Sequence, residues 1–128
     1  MTILVSYPNN LEWRKIGDIP LGWMREHIDH TEQEGYLAFH ETAGADTMQL
    51  MEMRLEPDTL LAPHSHDDDE IYYVAEGSLR WADKVLPKGG SLYIPAGAAY
   101  SFRTGAEPAT LINFRSRTDH SFHPQPAG

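Results

Sequence analysis

Apolar and polar positions alternate in short stretches along this chain, each bounded by turn-forming residues. Residues 47–55 read TMQLMEMRL. Their methionines and leucines would also suit a helix, but Gly44 before and Pro57 after leave little room for one. Read as a strand, the segment puts Gln49, Met51, Met53 and Leu55 on one face. Ile71-Tyr72-Tyr73-Val74 is rich in β-branched and aromatic residues and is closed by Gly77, which predicts a strand. It has no clean alternation, so it is expected in the packed middle of a sheet rather than at a solvated edge. Residues 23–28 and 36–42 read as strands joined by a turn over 29–35. Leu60-Leu61-Ala62 leads into a histidine-bearing segment, and 79–82 with 84–86 reads as a hairpin around Asp83. Residues 92–94, 100–103 and 110–114 complete a set of roughly eight to ten strands.

Nine prolines and ten glycines cut the chain into these pieces, which favours an all-β sandwich or barrel over a helical fold. At 128 residues a single domain over 1–128 is expected, large enough for a core without staples. Residues 1–20 read as an N-terminal arm, with a turn at Pro8-Asn9-Asn10, and 116–128 as an extended or frayed tail. The absence of cysteine excludes disulfides and thiolate metal sites. A formal net charge of −9 repels phosphates, so neither nucleic acid nor an anionic membrane surface is an expected partner. Residues 1–20 show no basic region followed by a long apolar run, so no secretory leader is expected. No apolar stretch approaches the roughly 20 residues that cross a bilayer. A soluble, cytoplasmic protein is the expectation.

The chemistry concentrates in His64-Ser65-His66-Asp67-Asp68-Asp69-Glu70, an HxHxxxE pattern. Two imidazoles two residues apart point the same way from an extended strand. A carboxylate four residues later returns to the same spot if the chain bends between them. Two neutral nitrogens and one anionic oxygen around a point suit a divalent transition metal, and three protein ligands leave positions open for water or substrate. The bland reading is a pair of exposed histidines beside an acidic, solvated run. Glu70 is preferred to Asp69 as the ligand on spacing. Tyr72, two residues on, shares Glu70's inward face, where it serves either as a hydrogen-bond donor to substrate or as a core aromatic. His27, His30 and His40 read as surface or satisfied histidines, and His120 and His123 as solvated tail residues. Trp13, Trp23 and Trp81, with Met48, Met51 and Met53, read as core, rim or interface, with Trp81 an exposed contact beside a tight turn.

His64, His66 and Glu70, followed at the right distance by Gly77, resemble the first motif of the cupin superfamily. Gly89-Gly90-Ser91-Leu92-Tyr93-Ile94-Pro95-Ala96-Gly97 resembles its second motif, G(x)5PxG. Gly77 and Gly97 fall where strands turn back, where φ above zero is often needed, and Pro95 fixes φ at the turn entry. Two positions depart from the family pattern. Asp58 stands where a glycine usually opens the first motif, a mild change because Asp tolerates turn conformations. Tyr100 stands where the family places a histidine as fourth ligand, and Thr104 where an asparagine is common.

Three roles for Tyr100 are open: a fourth ligand through its phenolate oxygen, an acid, base or substrate donor beside a three-ligand metal, or a packing residue in a site that has lost its metal. The resemblance implies a double-stranded β-helix, a jelly-roll-like barrel, often assembled as a homodimer by exchange or pairing of N-terminal strands. It also implies one divalent ion, Fe, Mn, Zn or Ni, held by His64, His66 and Glu70, with Tyr100 as a further candidate and Tyr100 and Tyr72 as candidate catalytic groups. With Glu70 the one anionic ligand, the loaded site carries +1, which suits an anionic molecule offering two oxygens. Iron would point to dioxygenase chemistry; zinc, manganese or nickel to isomerase or lyase chemistry. The alternative is a non-catalytic cupin that senses a small molecule or metal.

Overall fold

The pleat of residues 47–55 is realised: Gln49, Met51, Met53 and Leu55 are all buried, while Arg54 between them is exposed. The computed structural model describes residues 2–16, 35–44, 46–117 and 123–124. After a short 3-10 turn at Pro8–Asn10, eleven strands follow in chain order among the described residues. They are β1 (Arg14–Lys15), β2 (Gly35–Phe39), β3 (Gln49–Leu55), β4 (Leu60–Ser65), β5 (Glu70–Glu76), β6 (Ser78–Trp81), β7 (Lys84–Pro87), β8 (Ser91–Ile94), β9 (Tyr100–Thr104), β10 (Ala109–Arg115) and β11 (His123–Pro124). Their antiparallel pairing makes a six-stranded sheet, β1-β2-β3-β10-β5-β8, and a five-stranded sheet, β11-β4-β9-β6-β7. The expected strand over 23–28, Trp23, His27, His30 and His120 lie outside the described residues. Among the described residues no helix is long and apolar enough to cross a membrane.

Register decides what the barrel interior contains. Directly opposed residues of an antiparallel pair share a face, so the inner face of the six-stranded sheet can be read in rows. Leu37, Met53, Leu111 and Val74 form an apolar row, and Met51, Asn113, Tyr72 and Leu92 form the next. Gln49, Arg115, Glu70 and Ile94 form the row beyond that. The interior therefore passes from hydrocarbon at one end to charged and polar groups at the other. The five-stranded sheet closes it with Leu61, Phe102 and Leu79 below and His64 and Tyr100 at the polar end.

A bulge sets that last placement. Between the pairs Leu61↔Phe102 and His64↔Tyr100, β4 advances three residues while β9 advances two. The extra residue switches the face on which the following side chains lie, so Leu61 and His64 both point inward. Pro63 sits in this irregular stretch, where its missing N–H costs no ladder bond.

Several expectations change. Residues 71–74 do lie inside the sheet, between β10 and β8, but they alternate cleanly: Tyr72 and Val74 face the core, while Ile71 and Tyr73 are exposed. Hydrophobic residues on both faces hid the period. The strand expected over 36–42 ends at Phe39, and the one expected over 110–114 runs to Arg115. The tail is extended rather than frayed at His123–Pro124, which pairs with His64 and Ser65 of β4. Gly77 and Gly97 have φ of +77° and +80°, and Asp58 itself adopts φ +52°, so the aspartate fills a left-handed turn position as a glycine would. The hairpin turns at Ala82 and Asp83, with Trp81 exposed beside it.

Candidate metal centre

His64 is held in one tautomer. Its Nδ1 lies 2.7 Å from the Ala62 carbonyl, which can only accept, so Nδ1 carries the proton and Nε2 the lone pair. Burial lowers its pKa from 6.5 to about 4, only partly offset by the Ala62 bond, so the imidazole is neutral. His66 follows just after β4, buried, its ring 4.8 Å from that of His64 and edge-on to it. Its carbonyl accepts from Gly97 N at 2.8 Å, which ties the HxH segment to the Pro-Ala-Gly turn.

Glu70, the first residue of β5, is fully buried. Its Oε2 accepts from Asn113 Nδ2 at 3.0 Å and Arg115 Nε at 3.2 Å. Its Oε1 is buried and accepts no hydrogen bond from the described residues, and His66 Nε2 stands 4.0 Å from it. Asp69 is occupied elsewhere, accepting from Ala96 N at 2.7 Å. The structure thus brings Glu70, not Asp69, to the histidines. Asp67 and Asp68 are engaged as well, with His123 at 2.8 Å and Arg117 at 3.7 Å, so the acidic run pins neighbouring segments. The histidines are not the exposed pair of the bland reading.

Tyr100 and Tyr72 complete the cluster. The Tyr100 hydroxyl lies 3.0 Å from His64 Nε2 and 3.0 Å from the Tyr72 hydroxyl. Because His64 Nε2 carries the lone pair, Tyr100 donates to it, and Tyr72 in turn donates to Tyr100. Arg115 is a further hydrogen-bonding neighbour of the Tyr72 side chain. Burial, then Tyr72 and Glu70, raises the Tyr100 pKa well above that of a free phenol. Burial and the charge of Glu70 do the same for Tyr72, with Arg115 opposing. Both phenols are neutral. Thr104, by contrast, serves the backbone, donating to the Glu56 carbonyl and accepting from Thr59 N, both at 2.7 Å. His40 bonds to Glu52 at 3.4 Å, away from the site. A cleft of about 500 Å³, lined by Arg80, Trp81 and Arg103 among others, touches Tyr100 but none of His64, His66 and Glu70.

Among the described residues no three His, Asp or Glu side chains stand as a ready-formed metal site. The donor set nevertheless fits a divalent ion. It offers a neutral imidazole with Nε2 facing inward, a second buried imidazole, and a buried carboxylate oxygen to which no described residue donates. Ligand atoms bonded to one ion at about 2.1 Å lie from about 3 Å to about 4.2 Å apart. The 4.0 Å between His66 Nε2 and Glu70 Oε1 falls in that range.

Asn113 and Arg115, both buried beside Glu70, escaped the sequence reading. A signal was present in residues 109–115, ATLINFR, where Asn113 and Arg115 fall at the same parity as Leu111. Arg115 also alters the charge. With a divalent ion bound, the site carries +2 rather than the +1 counted from Glu70 alone.

Two antiparallel sheets closed over an inward His-His-Glu set, with the Pro-Ala-Gly turn bonded to the histidine segment, define a double-stranded β-helix. The chain belongs to the cupin family: residues 51–115, half of its length, match the Cupin domain. It is 30% identical over 124 residues to an acireductone dioxygenase from Parvibaculum lavamentivorans, a match covering 73% of this chain and 64% of that enzyme. An RmlC-like cupin from Shewanella frigidimarina superposes with a TM-score of 0.69 at 16% identity, covering 91% of this chain and 93% of the other. Oxalate decarboxylase from Bacillus subtilis superposes with a TM-score of 0.63 at 21% identity, covering 73% of this chain and 28% of the enzyme. The chain thus spans less than two thirds of the dioxygenase and under a third of the decarboxylase, and the two structural likenesses establish the fold.

Proposed function

We propose that this chain is a metal-dependent cupin enzyme acting on a small anionic molecule that offers two oxygen atoms to the metal. The observation that carries the reading is the buried, unsatisfied Oε1 of Glu70 beside two buried imidazoles. His64, His66 and Glu70 would hold one divalent ion, Fe, Mn, Zn or Ni. Such an ion supplies dioxygen activation if it is iron, or Lewis acidity for isomerisation or elimination if it is one of the others. The 30% identity to an acireductone dioxygenase supports the oxygen-using branch.

The residues of the chain have separate tasks in this reading. The Ala62 carbonyl holds His64 in the tautomer that presents Nε2. Asn113 and Arg115 occupy Oε2 of Glu70 and leave Oε1 to the centre of the barrel. Tyr100 donates a hydrogen bond to His64 Nε2; with that lone pair engaged, the hydroxyl would be left to donate to a bound substrate. Tyr72 holds Tyr100 in place through its own hydroxyl. The outer face of the six-stranded sheet, where Leu50, Phe114, Ile71 and Tyr93 line up across four strands, is taken as the contact between two copies in a homodimer.

The test is elemental analysis of protein purified without added metal, followed by oxygen uptake with diketones, catechols and hydroxy acids after loading with Fe, Mn, Ni or Zn. Near-stoichiometric metal that His64→Ala and His66→Ala each abolish is expected, with turnover in at least one loaded form. Full metal occupancy in either variant would refute the ligand assignment. Binding of metal with no turnover in any form would favour the sensing module instead.

A further inference from the structure

We infer that Arg115 makes this site selective for doubly charged anions, an inference that rests on the metal reading above. Among the described residues Glu70 and Arg115 are the only buried side chains of ordinarily charged type other than histidine. Arg115 stays protonated under all ordinary conditions. It reaches Glu70 Oε2 through Nε at 3.2 Å and shares that N–H with Asn113 Oδ1 at 2.9 Å, which locks the guanidinium in place. Without a metal, the charges of Glu70 and Arg115 cancel inside the barrel, as a buried pair must.

A divalent ion at Oε1 ends that balance. Glu70 then faces two cations, and the interior holds two uncompensated positive charges. Among the described residues Glu70 is the one buried carboxylate, so no second buried anion offsets them. Asp67, Asp68 and Asp69 are engaged with His123, Arg117 and Ala96 N at the rim, where solvent screens them. A bidentate dianion neutralises the loaded site; a monoanion leaves one charge buried. For a unit charge about 8 Å from the ligand, at an effective dielectric near 20, each added ligand charge changes affinity about 30-fold.

Oxalate and glycolate test this, because both chelate through two oxygens in a five-membered ring but carry two charges and one. The protein loaded with Co(II) is titrated with each at pH 7.5, and binding is read from the visible cobalt bands. Arg115→Gln keeps an N–H for Glu70 and removes the charge. The oxalate-to-glycolate affinity ratio should fall about 30-fold in Arg115→Gln and stay within about threefold of the native value in Arg115→Lys. If Arg115 only positions Glu70, both anions weaken together and the ratio holds, which would overturn the inference. A measurement on the native protein needs no variant: its ratio should equal or exceed that of aqueous Co(II), and a lower ratio overturns the inference. Absence of cobalt bands before any anion is added overturns the metal reading and this inference with it.

Discussion

Acid should weaken the metal-free protein through His64, and the size of the effect follows from its environment. The unfolded chain protonates this histidine near its ordinary pKa of 6.5, whereas burial holds the folded value at about 4. Above 6.5 the ring is neutral in both states, and its contribution to the folding equilibrium is fully favourable. As pH falls from 6.5 towards 4, the unfolded chain takes up a proton that the folded chain refuses, so stability drops. The complete loss, below both values, is about 3 kcal/mol, and at pH 5 it is already about 2 kcal/mol. Urea unfolding of EDTA-treated protein, followed by tryptophan fluorescence, measures it. His64→Gln removes the titrating ring while leaving a group that can bond to Tyr100. Groups distant from His64 cancel in the difference, which reports His64 together with its coupling to His66 and Glu70. The stability of native protein minus variant should shrink by about 2 kcal/mol between pH 7.5 and pH 5. A difference that stays constant to within about 0.5 kcal/mol would refute a neutral, buried His64.

Gly77→Ala should cost about 2 to 3 kcal/mol, because φ is +77° and the new Cβ would meet the Pro108 carbonyl oxygen at 2.5 Å. Gly97→Ala, at φ +80° with nothing within 4 Å, should cost about 1 kcal/mol, and the reverse order of urea midpoints would contradict the packing seen at Gly77. Tyr100→Phe should keep metal affinity within about threefold while lowering turnover about 100-fold or more, as loss of a proton donor does. A large fall in metal content measured by emission spectrometry would instead make Tyr100 a ligand. Ile71→Asp, in the middle of the exposed apolar row, should convert a dimer to a monomer in size-exclusion chromatography with light scattering; a monomeric native protein would defeat the dimer reading.

The parts of the site that were readable are those carried by short-range geometry. His64 and His66 share a face at period two, and Glu70 and Tyr72 do so again on the next strand. Asp58 could be read because only local backbone conformation was at stake, and its φ of +52° agrees with a turn residue. Arg115 was missed for a different reason. Its role depends on β10 lying between β3 and β5, pairings that join residues far apart in the chain, such as Arg115 and Glu70. Nothing local to residues 109–115 says what an inward arginine will face. His123 was read as a solvated tail residue because an isolated polar segment has no period to betray a strand, yet the edge of β4 pairs with it and Asp67 holds its ring.

The amino-acid sequence by itself determined the strand-rich class, the position of its turns and the identity of the candidate ligands, because alternation, glycine and proline act over a few residues. Tertiary structure alone decided which of those groups meet, and in what charge state. The bulge in β4 turns His64 inward beside Tyr100, and the register of β10 delivers Asn113 and Arg115 to one oxygen of Glu70 and leaves the other unsatisfied. Burial then removes water from all of them, and it is this shared desolvation, a property of the closed barrel and of no single segment, that keeps His64 neutral and both tyrosines protonated.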